Sequence, residues 1–330
     1  MAPAPALLPK GALHLRQECA RGAEPLCIVD GSRHKVPKGQ EHAASFATEV
    51  LANGSHTRRP LTCDERAYTH VEKLALLLSK DLMATSRNYR LHSWGGIFSQ
   101  GEGKATEQKA CYKKSCVHDY KQVKSRFLWK HVCTRREQIR QICEVGFMAG
   151  HTAMMFAEAA PKASVLSFDL GHQGLVPWLA KQSHRLKQAY GERWQGVVVG
   201  DSGKTAPAYA AANPDFRCDV VFIDGGKTKE IRLNDYRNFL EMSHSSTLVL
   251  FDEATTLACV NGSVTADQCG VSDEGRKISD TATVHSAMGT NTAARAGLLR
   301  VHKCQWPPGY EGRDGVCAAS FPTAANRASS

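Results

Sequence analysis

The chain has 330 residues, enough to bury a sizeable core as one large domain or two small ones. Its apolar fraction is 42%, and no run nears the roughly eighteen consecutive apolar residues that a membrane-spanning helix needs. A formal net charge of +10 leaves an anionic partner open, although much of the excess sits between Lys104 and Arg140, which reads first as a solvated helical face.

Residues 1–60 are rich in Pro, Gly, Ala and His and read as a poorly ordered arm. Their start, Met1 to Pro9, has no charged segment ahead of a sustained apolar run, so a standard signal peptide is not expected. Residues 61–140 form a helical, basic N-terminal addition. Val71, Leu74, Ala75, Leu78 and Leu82 recur at three- and four-residue steps, which predicts a helix. A glycine-rich loop from Trp94 to Gly103 follows, and a second helical stretch runs from about Val117 to Gln141.

Beyond Gln141 the pattern becomes alternation. Five β-rich runs, beginning at Ile142, Ser164, Gly196, Asp219 and Thr247, are separated by stretches of helical length, His151–Ala160, Leu175–Tyr190, Thr205–Ala212 and Lys229–Met242. Such alternation predicts βαβ units and a parallel sheet, and nearly all-apolar strands predict cover on both faces. Two last runs, from Leu298 and from Val316, flank a turn-rich loop and read as an antiparallel edge hairpin. The fold class expected is therefore α/β: a Rossmann-like, doubly wound, mostly parallel seven-stranded sheet. Residues 141–323 form that domain, and 324–330 form a tail.

In an open parallel sheet, ligands bind beyond the carboxyl ends of the strands. All five runs carry an acid there: Glu144, Asp169, Asp201, Asp224, and Asp252 with Glu253. Gly146 and Gly150 in the first turn let the backbone bend sharply and approach a ligand closely. A dinucleotide fingerprint would need glycine at position 148, which is Met, so an NAD-dependent oxidoreductase is disfavoured. Asp169 is placed to accept hydrogen bonds from ribose hydroxyls.

The segment Glu144 to Glu253 resembles the class I S-adenosylmethionine-dependent methyltransferases, most nearly the catechol and caffeoyl-coenzyme A O-methyltransferases. The matching pieces are Glu144–Thr152, Ser167–Leu170, Val197–Ser202, Asp219–Lys227 and Leu248–Glu253. The resemblance implies that Glu144, Gly146 and Gly150, with Phe147 between them, line the methionine side of S-adenosylmethionine. It implies that Asp169 holds the ribose, that Asp201 and Ser202 lie near the adenine, and that Asp224 lies by the cofactor. Asp224 and Asp252 match the metal-binding carboxylates of the catechol-type enzymes, and Glu253 stands where those have Asn, a set of oxygens suited to Mg²⁺. Lys227 matches their general-base lysine, whose pKa could be lowered there. His151, at the following helix start, either faces the acceptor or simply opens the helix. Acceptor pockets in this family come from segments such as residues 60–140 and Thr255–Ser279.

The expected activity is therefore O-methylation of a small hydroxylated molecule. The alternatives are an RNA or protein methyltransferase using the basic stretch, and a non-catalytic protein that retains the fold. Twelve cysteines include apparent pairs Cys19/Cys27, Cys259/Cys269 and Cys304/Cys317. With two sequons, at Asn53 and Asn261, they lean toward a secretory lumen. Reduced, buried thiols in the cytoplasm are the alternative. Cys304 and Cys317 stand symmetrically about the hairpin loop, so a regular hairpin would oppose and bond them.

Overall fold

A computed structural model describes residues 26–29, 62–85, 119–171, 176–271, 277–278, 280–307, 312 and 314–322. Most of the expected N-terminal arm, the Trp94–Gly103 loop, Lys104 to Val117, Cys19, Asn53 and the tail lie outside these residues.

The strands are β1 (Cys27–Val29), β2 (Gln141–Val145), β3 (Ser164–Asp169), β4 (Trp194–Val199), β5 (Cys218–Ile223), β6 (Ser243–Ala254), β7 (Arg300–Gln305) and β8 (Gly315–Ser320). They form one eight-stranded sheet in the order β1-β4-β3-β2-β5-β6-β8-β7. The five central strands are parallel, while β1, β8 and β7 are antiparallel to their neighbours. One strand more than expected comes from Cys27–Val29, which pairs with Val197–Val199. Three residues in an arm rich in Pro and Gly carry no readable alternation, so only the tertiary pairing reveals them.

The helices are α1 (Glu65–Thr85), α2 (Asp119–Cys133), α3 (His151–Ala159), α4 (Val176–Tyr190), α5 (Ser202–Ala212), α6 (Lys229–Glu241), α7 (Leu257–Val260) and α8 (Thr281–Arg295). Among the described residues no helix is long and apolar enough to cross a membrane.

Successive strand residues point to opposite faces, and each face has its own apolar layer. Ile142, Val165, Val197, Val220 and Leu250 pack with Leu74 of α1, Leu128 of α2 and Phe156 of α3. Cys143, Leu166, Val198, Val221 and Val249 pack with Tyr209 of α5 and Phe239 of α6. This two-sided burial explains why most positions of the central strands are apolar.

Chain order runs outward from β2 through β3 to β4, then returns across β2 to β5 and β6. The reversal leaves a crevice between β2 and β5 at the carboxyl ends, where the connections diverge to opposite faces.

Among the described residues, four disulfides join Cys63 to Cys133, Cys143 to Cys218, Cys259 to Cys269, and Cys304 to Cys317. Cys304 and Cys317 are register partners across the edge hairpin, as the symmetry of the loop predicts. Cys63–Cys133 ties the start of α1 to the end of α2, and Cys143–Cys218 links β2 to β5. Neither of these two is readable from spacing, because their separations are 70 and 75 residues. Cys27 is also disulfide-bonded, to a partner outside the described residues.

Candidate active site at the carboxyl ends of the strands

The glycine turn after β2 is fixed by its neighbours. Gly146 has φ of 99°, its N–H donates to the Phe168 carbonyl at 2.8 Å, and a Cβ there would stand 2.5 Å from the Asp224 carbonyl oxygen. Gly150 opens α3 in the left-handed region with φ of 75°, and a Cβ there would press on the Phe147 ring. Between them Met148 also adopts positive φ, which costs a side-chain-bearing residue about 1–3 kcal/mol. Asp169 holds that conformation: its Oδ2 accepts from the Met148 N–H at 2.9 Å, and its Oδ1 accepts from the Gly171 N–H at 2.9 Å. Asp169 thus shapes the turn as well as lying where a ribose is expected.

Glu144 is wholly buried at the end of β2. Ser167 donates to its Oε2 at 2.6 Å, whereas Oε1 is buried with no partner among the described residues. Burial raises its pKa to about 8; Ser167 opposes the rise, while the Asp224 and Asp169 charges add to it. An orphaned buried carboxyl oxygen beside a turn whose Gly146 and Gly150 admit no Cβ is what a polar ligand would complete, so these residues fit the expected cofactor. Asp201 caps α5 by accepting from the Gly203 N–H, and Ser202 donates to Asp235 Oδ1 at 2.7 Å.

The acids at the carboxyl ends of β5 and β6 are each paired with a cation from the protein. Lys227 Nζ lies 2.5 Å from Asp224 Oδ1 and 3.0 Å from Glu253 Oε1, and it donates to the Asp224 carbonyl at 3.2 Å. Glu253 Oε2 accepts from Arg232 at 2.8 Å and from Ser286 of α8 at 2.6 Å. Asp252 Oδ1 sits 2.5 Å from Lys124 Nζ of α2, an ion pair without hydrogen-bond alignment. Lys124 also donates to Asp314 at 2.7 Å. The expected Mg²⁺ set, Asp224, Asp252 and Glu253, therefore does not fit a divalent ion, because a protein cation already stands on every one of the three. Among the described residues no group of three or more metal-ligating side chains is disposed to hold one.

Two further expectations change. Burial would lower the Lys227 pKa, but Asp224 and Glu253 outweigh burial and raise it. Lys227 is thus a firmly charged ammonium rather than a ready base. His151 is held neutral by burial, with its pKa lowered to about 4 despite a hydrogen bond with the Ala75 backbone of α1. Its ring ties α3 to the N-terminal addition.

Lys124, Arg232 and Asp235 were not singled out from the sequence, yet they carried a signal. Lys124 shares the stripe of Phe127, Leu128 and Val132, and Arg232 and Asp235 share that of Tyr236, Phe239 and Leu240. A charged residue in phase with a helix's apolar face is a buried charge that needs a partner. The expected solvated face holds for Arg126, Lys130 and Arg135, which are exposed, whereas Lys124 points inward.

A doubly wound sheet with a glycine turn and acids at successive strand ends is the arrangement expected of a class I, S-adenosylmethionine-dependent methyltransferase domain. Residues 143–254 match the family model described as a methyltransferase domain. No curated protein matches the chain. Similar solved structures include an O-methyltransferase from Bacillus cereus in complex with SAH, at 13% identity and TM-score 0.46, covering 84% of this chain and 100% of that one. Another is the O-methyltransferase TomG from Streptomyces achromogenes, involved in tomaymycin synthesis and in complex with SAM. It shows 17% identity and a TM-score of 0.43, covering 74% of this chain and 96% of that one. A third is the SAH-bound Podospora anserina methyltransferase PaMTH1, at 14% identity and TM-score 0.43, covering 79% and 98%. Likeness at this level carries nothing about the acceptor.

Proposed function

We propose that the protein transfers a methyl group from S-adenosylmethionine to a hydroxyl oxygen of a small molecule, with Asp224 receiving the hydroxyl proton. The observation that carries this reading is Glu144 Oε1, a buried carboxyl oxygen without a partner among the described residues, beside a turn whose Gly146 and Gly150 admit no Cβ.

S-adenosylmethionine supplies an electrophilic methyl carried on sulfur, whose C–S electron pair stays with sulfur as the O–CH₃ bond forms. Glu144, Gly146, Phe147, Gly150 and Asp169 would hold the cofactor, with Asp201 and Ser202 toward its adenine. Lys227 has its contacts on Asp224 and Glu253, so it fixes the Asp224 carboxylate instead of taking a proton itself. Asp224 Oδ2 has no partner among the described residues and is the oxygen left to accept the proton. Burial, and the Asp252 and Glu253 charges, raise the proton affinity of Asp224 while Lys227 opposes them, which suits a general base near neutral pH.

We assign the acceptor side to α1 and α2 of the N-terminal addition and to the segment after β6, where α7 and Cys259–Cys269 lie. We place the protein in an oxidising compartment, a reading supported by the four disulfides. Methyl incorporation from labelled cofactor across a panel of phenols and catechols tests the activity. Transfer to RNA or to protein, with none to the panel, would overturn the small-molecule reading.

A further inference from the structure

We infer that the ammonium of Lys124, delivered by α2, takes the place of a divalent metal in this cleft, so that the reaction proceeds without one. The inference rests on the reading of this cleft as a methyl-transfer site only for that last consequence.

The residues at the carboxyl ends of β5 and β6 that could ligate an ion are Asp224, Asp252 and Glu253. Lys227 spans Asp224 and Glu253, and Arg232 takes the other oxygen of Glu253. That leaves Asp252, and Lys124 Nζ meets it at 2.5 Å. The same ammonium meets Asp314, just ahead of β8, at 2.7 Å. Lys124 thus bridges two carboxylates from different elements, the task a hard divalent cation performs with oxygen ligands. Its side chain is 5% exposed. A buried ammonium is costly unless it is paired and hydrogen-bonded, and here it is both. The helix that carries it is fastened at its far end by Cys63–Cys133, and its apolar stripe packs against the sheet. A site cation is thereby part of the fold of the N-terminal addition, not a solute.

Removing the ammonium should create what it replaces. Lys124→Met keeps the apolar stem and leaves Asp252 and Asp314 facing each other without a counter-charge. The test is Mn²⁺ binding to the full chain by electron paramagnetic resonance, with melting temperature followed in the same samples. Wild type and Lys124→Arg should show no saturable Mn²⁺ site and no Mn²⁺-dependent shift in melting. Lys124→Met should gain a saturable Mn²⁺ site, filled at concentrations at least about tenfold below any uptake by wild type, and melt higher with it. If Lys124→Met folds poorly, recovery of its fold on adding Mn²⁺ supports the inference, and no recovery overturns it. One saturable Mn²⁺ per wild-type chain, displaced by Mg²⁺, would overturn it outright, as would a folded Lys124→Met with no gain in binding. S-adenosylmethionine titration of the same samples separates the two readings. A wild type that binds neither cofactor nor Mn²⁺ defeats the proposed function and leaves the cation assignment standing.

Discussion

Gly146 and Asp224 meet backbone to backbone: the Asp224 N–H donates to the Val145 carbonyl at 2.9 Å, and no Cβ fits between the Gly146 Cα and the Asp224 carbonyl. The contact locks the cofactor turn of β2 to the strand end that carries the proposed base. Gly146→Ala adds a clash and an unfavourable positive φ, so it should destabilise the fold by about 1–3 kcal/mol. It should also abolish cofactor binding. Thermal melting and calorimetry check the two effects, and unchanged binding would contradict the site.

Asp169 bonds two backbone N–H groups, one on Met148, whose positive φ it stabilises. Asp169→Ala should therefore weaken S-adenosylmethionine binding by more than the loss of a ribose contact, by about 100-fold, equivalent to two tenfold steps of 1.4 kcal/mol. Equilibrium dialysis with labelled cofactor measures this directly.

How far the sequence could be read follows from these residues. The five parallel strands and the helices between them were legible because two-sided burial makes each strand apolar and leaves a glycine or an acid at its end. The strand-end positions of Glu144, Gly146 and Asp169 were legible for the same reason. Short β1 was not, since three residues show no period, and the helix from Thr281 to Arg295 was not, since its buried face is Thr283, Ser286, Ala287, Thr290 and Asn291 rather than large apolar residues. The ion pairs of Lys124 and Arg232 join elements far apart in sequence, so the acids they neutralise looked like a vacant metal site.

Glu144 gives a pH signature. Its pKa is raised on folding, from an ordinary 4.5 to about 8, so the unfolded chain ionises first as pH rises. Between those values the native state holds the extra proton, and stability from this group falls with rising pH by up to about 1.4 kcal/mol per unit. Glu144→Gln mimics the protonated acid and should remove that loss. Its melting temperature should match wild type near pH 4.5 and exceed it increasingly toward pH 8. A constant difference across that window would contradict the buried, protonated carboxyl.

Asp224→Asn should lower kcat by about 10²–10⁴-fold while cofactor binding changes little, the range for loss of a general base. With the base in its ionised form required, wild-type kcat should fall as pH drops through about 6, the raised pKa of Asp224. Equal losses in cofactor affinity and kcat would point to a structural role instead.

Cys304 and Cys317 close a loop with a sequence separation of 13 across the β7–β8 edge. Replacing both by Ser should cost about 3 kcal/mol on chain-entropy grounds, less any strain. Denaturant unfolding of the double variant measures it. Non-reduced peptide mapping of natively produced protein should recover the pair joined, and recovery of free thiols there would remove the argument for an oxidising compartment.

The central claim is that the turn after β2 and the acids beside it hold S-adenosylmethionine, and calorimetric titration of the wild-type chain in the presence of chelator tests it most directly. The account predicts one molecule of S-adenosylmethionine or S-adenosylhomocysteine bound per chain, with no change when Mg²⁺ replaces the chelator. No heat of binding for either ligand, with and without Mg²⁺, would contradict it.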